Sequence, residues 1–93
     1  MSKLKVKVEN MQSSRGNDVP NQFIITTDKG TYLQSYNSII AFVPNDSTKK
    51  TRLGPNWSYS VTTGKYRNQF LGETKAETQA KLDSKEYILD KNL

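Results

Sequence analysis

Five cations, Lys49, Lys50, Arg52, Lys65 and Arg67, fall in the window 47–72, which holds no Asp or Glu. The same window holds the only tryptophan, Trp57, together with Tyr59, Tyr66 and Phe70. Cations interleaved with aromatic rings suit one kind of chemistry: ammonium and guanidinium groups on phosphates, beside rings on which bases stack. On that reading Lys49, Lys50, Arg52, Lys65 and Arg67 contact the phosphate backbone. Trp57 or Tyr59 supplies the stacking surface, and Thr62 hydrogen-bonds phosphate or base edges. A plainer reading uses the same residues differently. The aromatics are core, and the cations are a solvated face. A third reading takes Trp, Tyr and Arg as interface anchors for an acidic patch on a partner protein.

Enzyme chemistry lacks its usual carriers. The chain has no His and no Cys, so the commonest general base, the thiol nucleophile and the soft metal ligands are missing. Its acids are scattered among lysines. Glu73 and Glu77 stand where helices begin, a position that favours the helix dipole. Gly54, Gly64 and Gly72 do not form a phosphate-cradling pattern. The expectation is a protein that is not an enzyme, with no cofactor and no metal. No disulfide can form, no apolar run is long enough to cross a membrane, and the start, MSKLKVKVEN, lacks the apolar segment of a signal peptide. These features lead us to expect a protein of the cytoplasm with no membrane partner.

The elements that must position the central window follow from pattern. Ninety-three residues suit one domain spanning 1–93. Lys3 to Val8 alternates, with Leu4, Val6 and Val8 on one face and Lys3, Lys5 and Lys7 on the other, a half-buried strand with an edge-protecting lysine face. Residues 10–19 read as a loop, ended by Pro20. Asn21 to Thr27 and Thr31 to Tyr36 form strands around an Asp28-Lys29-Gly30 turn. Asn37-Ser38 makes a bend before Ile39 to Val43, IIAFV, the most buried strand. Thr48 to Leu53 is a short return strand or a loop. Ser60 caps a helix whose inner face is Tyr59, Thr63, Tyr66 and Phe70, with Gly72 as its left-handed stop. Thr74 and Glu77 form a capping box that opens a second helix, with Ala76, Ala80 and Leu82 inward. Glu86 to Leu89 is a last strand. The predicted class is α+β: an antiparallel sheet of about five or six strands, two short helices on one face, and a final short strand after them.

The net charge of +5 is concentrated. Residues 1–46 carry five Lys/Arg and four Asp/Glu, a net of +1; residues 47–72 carry five cations and no acid, a net of +5; residues 73–93 carry four Lys and five acids, a net of −1. A window of that sign attracts polyanions.

Three segments, VPNQFII (19–25), QSYNSIIA (34–41) and WSYSVTTGKYRNQFLGE (57–73), resemble a group of small uncharacterised proteins encoded by phages and mobile elements of Gram-positive bacteria. The resemblance runs from about Val6 to Leu89. It carries no activity and no functional residues. It implies an accessory product made inside an infected host, in the host cytoplasm, of a kind that binds DNA or blocks a host protein. One departure stands out: Lys85 occupies a position where a glycine would make the usual turn. The expected function is therefore nucleic-acid binding through the phosphate backbone. The alternative is a module that inhibits or redirects a host protein through an acidic surface of that partner. A homodimer through the Lys3-Lys5-Lys7 edge strand is a further expectation.

Overall fold

The computed structural model describes residues 6–13 and 15–93. Four strands follow one another, β1 (Lys7–Gln12), β2 (Asp18–Thr26), β3 (Gly30–Ser35) and β4 (Ser38–Pro44). A two-residue strand, β5 (Arg52–Leu53), precedes two helices, α1 (Val61–Leu71) and α2 (Lys75–Asp83), and β6 (Ile88–Leu89) ends the series. Strand order in the sheet is strand order in the chain. Every neighbouring pair is antiparallel except β5 and β6, which are parallel. A parallel pair needs a long crossover, and the two helices provide it. This is the expected α+β architecture.

Register decides what each sheet face carries. Side chains directly opposite on paired strands share a face, and the face alternates with each residue. Ile24, Leu33, Ala41, Leu53 and Leu89 form one cross-strand row. Leu33, Ala41 and Leu53 are fully buried and pack with Trp57 and Tyr66 in the core. The helices therefore cover this face. The next row, Val8, Ile25, Tyr32, Phe42, Arg52 and Ile88, crosses all six strands on the opposite face.

Side-chain chemistry accounts for the helix ends. Ser60 is the N-cap of α1, its hydroxyl accepting from the Thr63 amide, and Gly72 stops the helix at φ 70°. Thr74 and Glu77 form the complete capping box of α2. Thr63 and Tyr66 face inward, and Phe70 packs half-buried against the core, as the spacing predicts. Tyr59 departs from that face: it precedes the N-cap, off the helical period, and is 77% exposed. The inward face of α2 is Thr78 and Leu82, with Ala76 and Ala80 exposed. Two alanines bury too little area to orient a helix against a larger leucine.

The N-terminal third also differs from expectation. Strand takes both ends of the expected loop, since β1 runs on to Gln12 and β2 begins at Asp18. The Asn10 amide donates to the Val19 carbonyl at 2.9 Å, and a register break between Asn10 and Gln12 accompanies the burial of Met11 in the core. Val6 and Val8 are more than half exposed, so the alternating lysine strand is not half-buried there, and Lys3, Leu4 and Lys5 lie outside the described residues. In β4 only Ile40 and Ala41 are buried, because a bulge at Ile40 turns two consecutive side chains toward the helices. The rest of the IIAFV run is half-buried. The β3–β4 hairpin turns at Tyr36-Asn37, one residue earlier than expected, with Tyr36 at φ 55°.

A polar cluster ties the α1–α2 link, α2 and the segment just before β6 together. The Tyr87 hydroxyl donates to Glu73 Oε1, and Lys81 Nζ lies 2.9 Å from Glu73 Oε2. Burial, then the bond to Glu73, pushes the Tyr87 phenol up to about 12 from its ordinary 10.0. The hydrogen bond to Glu73 raises Lys81 as well. A proton held more tightly by the folded chain stabilises it fully below the unfolded pKa and is lost as pH rises through the folded one. Stability should therefore decline between pH 10 and about 12. Urea midpoints across that range will show it, and Tyr87→Phe will flatten the decline. An unchanged slope in that variant counts against the assignment.

Candidate nucleic-acid interface

The sheet face opposite the helices holds the most distinctive surface. Tyr32 and Phe42 are direct cross-strand neighbours, with ring centroids 4.4 Å apart and planes tilted by 33°. They line a shallow groove of about 710 Å³ with Arg52 and Ile88. The β2–β3 turn and the segment after β4 bring Asp28, Lys29, Asp46, Lys49 and Lys50 to its rim. Four cations and two carboxylates give this groove a net of +2. Arg52 is paired with Asp90 at 3.1 Å, and Lys50 Nζ donates to the Lys85 carbonyl at 2.6 Å. Among the described residues Lys29 and Lys49 make no ion pair. Two hydrogen bonds from Thr48 hold Asp46 below the usual carboxylate range, so it stays ionised.

The predicted site residues separate into three places. Lys49, Lys50 and Arg52 share the groove just described. Tyr59 and Lys65 lie around the first turn of α1 in a different hollow, with Lys75 nearby, and Lys65 Nζ sits 5.5 Å from the Tyr66 ring centroid. Thr62 is exposed at the same helix end, beside Tyr59 and the β3–β4 turn. Trp57 and Arg67 are inside the protein. Trp57 is 8% exposed and Arg67 is 1% exposed. The Arg67 guanidinium donates to the Trp57 carbonyl and to Asn68 Oδ1, and lies 5.1 Å from the Trp57 ring centroid. Burial lowers the Arg67 pKa and the nearby Glu73 raises it. Each only borders a surface hollow, Arg67 beside Tyr59 and Lys65 and Trp57 beside Leu82 and Tyr87. The central window is thus not one cationic face. Its cations lie on the open side of the sheet, at the helix start, and in the core.

Sequence reasoning missed Tyr32, Phe42 and Lys29 as site residues. A signal was present. The β2 and β4 sequences carry large apolar residues at successive positions, so both sheet faces are apolar, while helices can cover only one.

Fold and groove together define a small α+β domain with a six-stranded sheet, helices on one face and, on the other, an aromatic groove that no helix covers among the described residues. The chain belongs to a family of unknown function (DUF8033), whose sequence pattern matches residues 6–88. No curated protein and no solved structure matches it. No described helix is long and apolar enough to cross a membrane.

Proposed function

We propose that this protein is a non-enzymatic accessory protein, of the phage type its sequence resembles, that binds nucleic acid on the open face of its sheet. The observation that carries this reading is the Tyr32–Phe42 pair in one groove with Lys29, Lys49, Lys50 and Arg52. Rings flanked by cations suit bases and phosphates together. Helix α1, with its aromatics turned into the core, is the support and not the reader. If three or four phosphates are contacted, log K falls with log salt at a slope of about −2 to −4. Affinity should then drop on the order of 10- to 300-fold between about 50 and 200 mM salt. Fluorescence anisotropy with mixed-sequence DNA and RNA measures this. The double charge reversal Lys49→Glu, Lys50→Glu should abolish most of the low-salt binding. Absence of any binding at low salt by the unmodified chain defeats the proposal.

A protein partner is the second reading, favoured by a separate observation. Val6 and Val8 are 57% and 59% exposed, and β1 is an outermost strand whose outer edge pairs with no other strand among the described residues. An exposed apolar edge can pair with a strand of another protein or of a second copy. Capture of an acidic host protein that survives nuclease treatment, and is lost on Val8→Lys, supports this reading over the first.

A further inference from the structure

Resting on the nucleic-acid reading, we infer that the ligand is single-stranded DNA, with bases stacked on the Tyr32–Phe42 pair and phosphates directed to Lys29 and Lys49. Three features of the groove support this. The rings are held in place before any ligand arrives. A Cβ on Gly30 would lie 2.6 and 2.7 Å from two Phe42 ring carbons, so the ring rests over bare backbone there and against Tyr32 on its own row. A ring fixed on a strand loses little freedom on stacking. The surface is also shallow and sits on a twisted sheet. Duplex bases are hidden from such a surface, whereas unpaired bases can lay a ring face on it.

The third feature separates DNA from RNA. Beyond the ring pair, the row continues as Ile25 and Val8 on one side, and as Arg52 and Ile88 on the other. RNA is told apart by hydrogen bonds to its 2′-hydroxyl. On this row Val8, Ile25 and Ile88 offer no hydrogen bond to such a hydroxyl and suit deoxyribose and the thymine methyl instead, while Arg52 is held by Asp90. The cations complement this arrangement. Lys29 and Lys49 stand at the rim, and Lys50 and Arg52 are already engaged with Lys85 and Asp90. Lys29 and Lys49, which make no ion pair among the described residues though Asp28 and Asp46 share their rim, are therefore placed to follow a backbone along one margin while bases turn inward.

The test is anisotropy with labelled oligo-dT, the same strand annealed to oligo-dA, and oligo-U of equal length. Single-stranded oligo-dT should bind at least about tenfold more tightly than the duplex. Loss of one stacking ring, in Tyr32→Ala or Phe42→Leu, should weaken it by about 5- to 150-fold. Tyr32→Phe keeps the ring and should keep the affinity. Trp57, in the core on the other side of the sheet, reports by its emission that each variant is folded. Equal affinity for duplex and single strand, with silent ring variants, overturns the inference and leaves nucleic-acid binding standing. Tighter binding of oligo-U overturns the choice of DNA. A dimer in sedimentation equilibrium that Tyr32→Ala disperses also overturns it, since the face then belongs to a second copy. Failure of every oligonucleotide to bind removes both proposals.

Discussion

Arg67→Ala should cost about 3 kcal/mol, from a buried carbonyl left without its donor and a cavity beside a core ring. Small domains have only about 5–15 kcal/mol in total, so this variant is expected to be largely unfolded at modest urea. The cause is local. Arg67 is 1% exposed, and its guanidinium satisfies the Trp57 carbonyl while stacking over the Trp57 ring at 5.1 Å. Truncation leaves that carbonyl dry and opens a cavity beside the tryptophan. Glu73 keeps partners in Lys81 and Tyr87, so the loss is centred on Trp57. Arg67→Lys retains the charge but not the planar fork, and about half the penalty is expected. Arg67→Met retains volume without charge and should fall between these limits. Far-UV circular dichroism in urea is the appropriate probe, because Trp57 emission changes with its own surroundings. A loss below about 1 kcal/mol in Arg67→Ala would mean that the guanidinium is not a structural centre.

Gly54→Ala is the second large effect, expected at about 3 kcal/mol or more, from overpacking against backbone. Gly54 follows β5 and donates to the Ile40 carbonyl at 2.9 Å. A Cβ there would lie 2.2 Å from the Ile39 carbonyl oxygen. That atom belongs to β4 and cannot swing aside as a side-chain tip would. Gly72→Ala is the contrast. Its Cβ meets nothing within 4 Å, and its penalty comes from φ 70° alone, which costs an L-residue about 1 kcal/mol. Comparison of the two variants under one urea protocol separates collision from dihedral strain. Equal losses would refute the collision.

The caps were legible because they are local. Ser60, Gly72 and the Thr74–Glu77 box each act within one helical turn. The β2–β3 turn was legible for the same reason, although it spans 27–29 and Gly30 already belongs to β3. Lys85 was flagged as standing where a glycine belongs, and it does adopt φ 68°. Long-range placement was less accessible. Arg67 looks like a surface cation in sequence, and only the fold brings the Trp57 carbonyl and Glu73 around it. Tyr59 matched the inward period but precedes the cap. Nor did 10–12 and 18–19 resemble strand, since Asn and Asp are turn formers and only the pairing of β1 with β2 recruits them. Of the candidate site, the charge pattern points to Lys49, Lys50 and Arg52, while the rings they flank look in sequence like ordinary strand members.

The sheet's sequential strand order has a consequence for the nascent chain. As it leaves the ribosome, β1 to β4 can zip together by local hairpins, and β4 then forms the growing margin. Its partner β5 is two residues long, and β6 arrives only after both helices have been made. Until then a segment reading SIIAFVP stands at an open boundary. The C-terminal half serves to seal that boundary, so the interval between synthesis of Pro44 and of Leu89 is when the chain is most prone to stick to its neighbours.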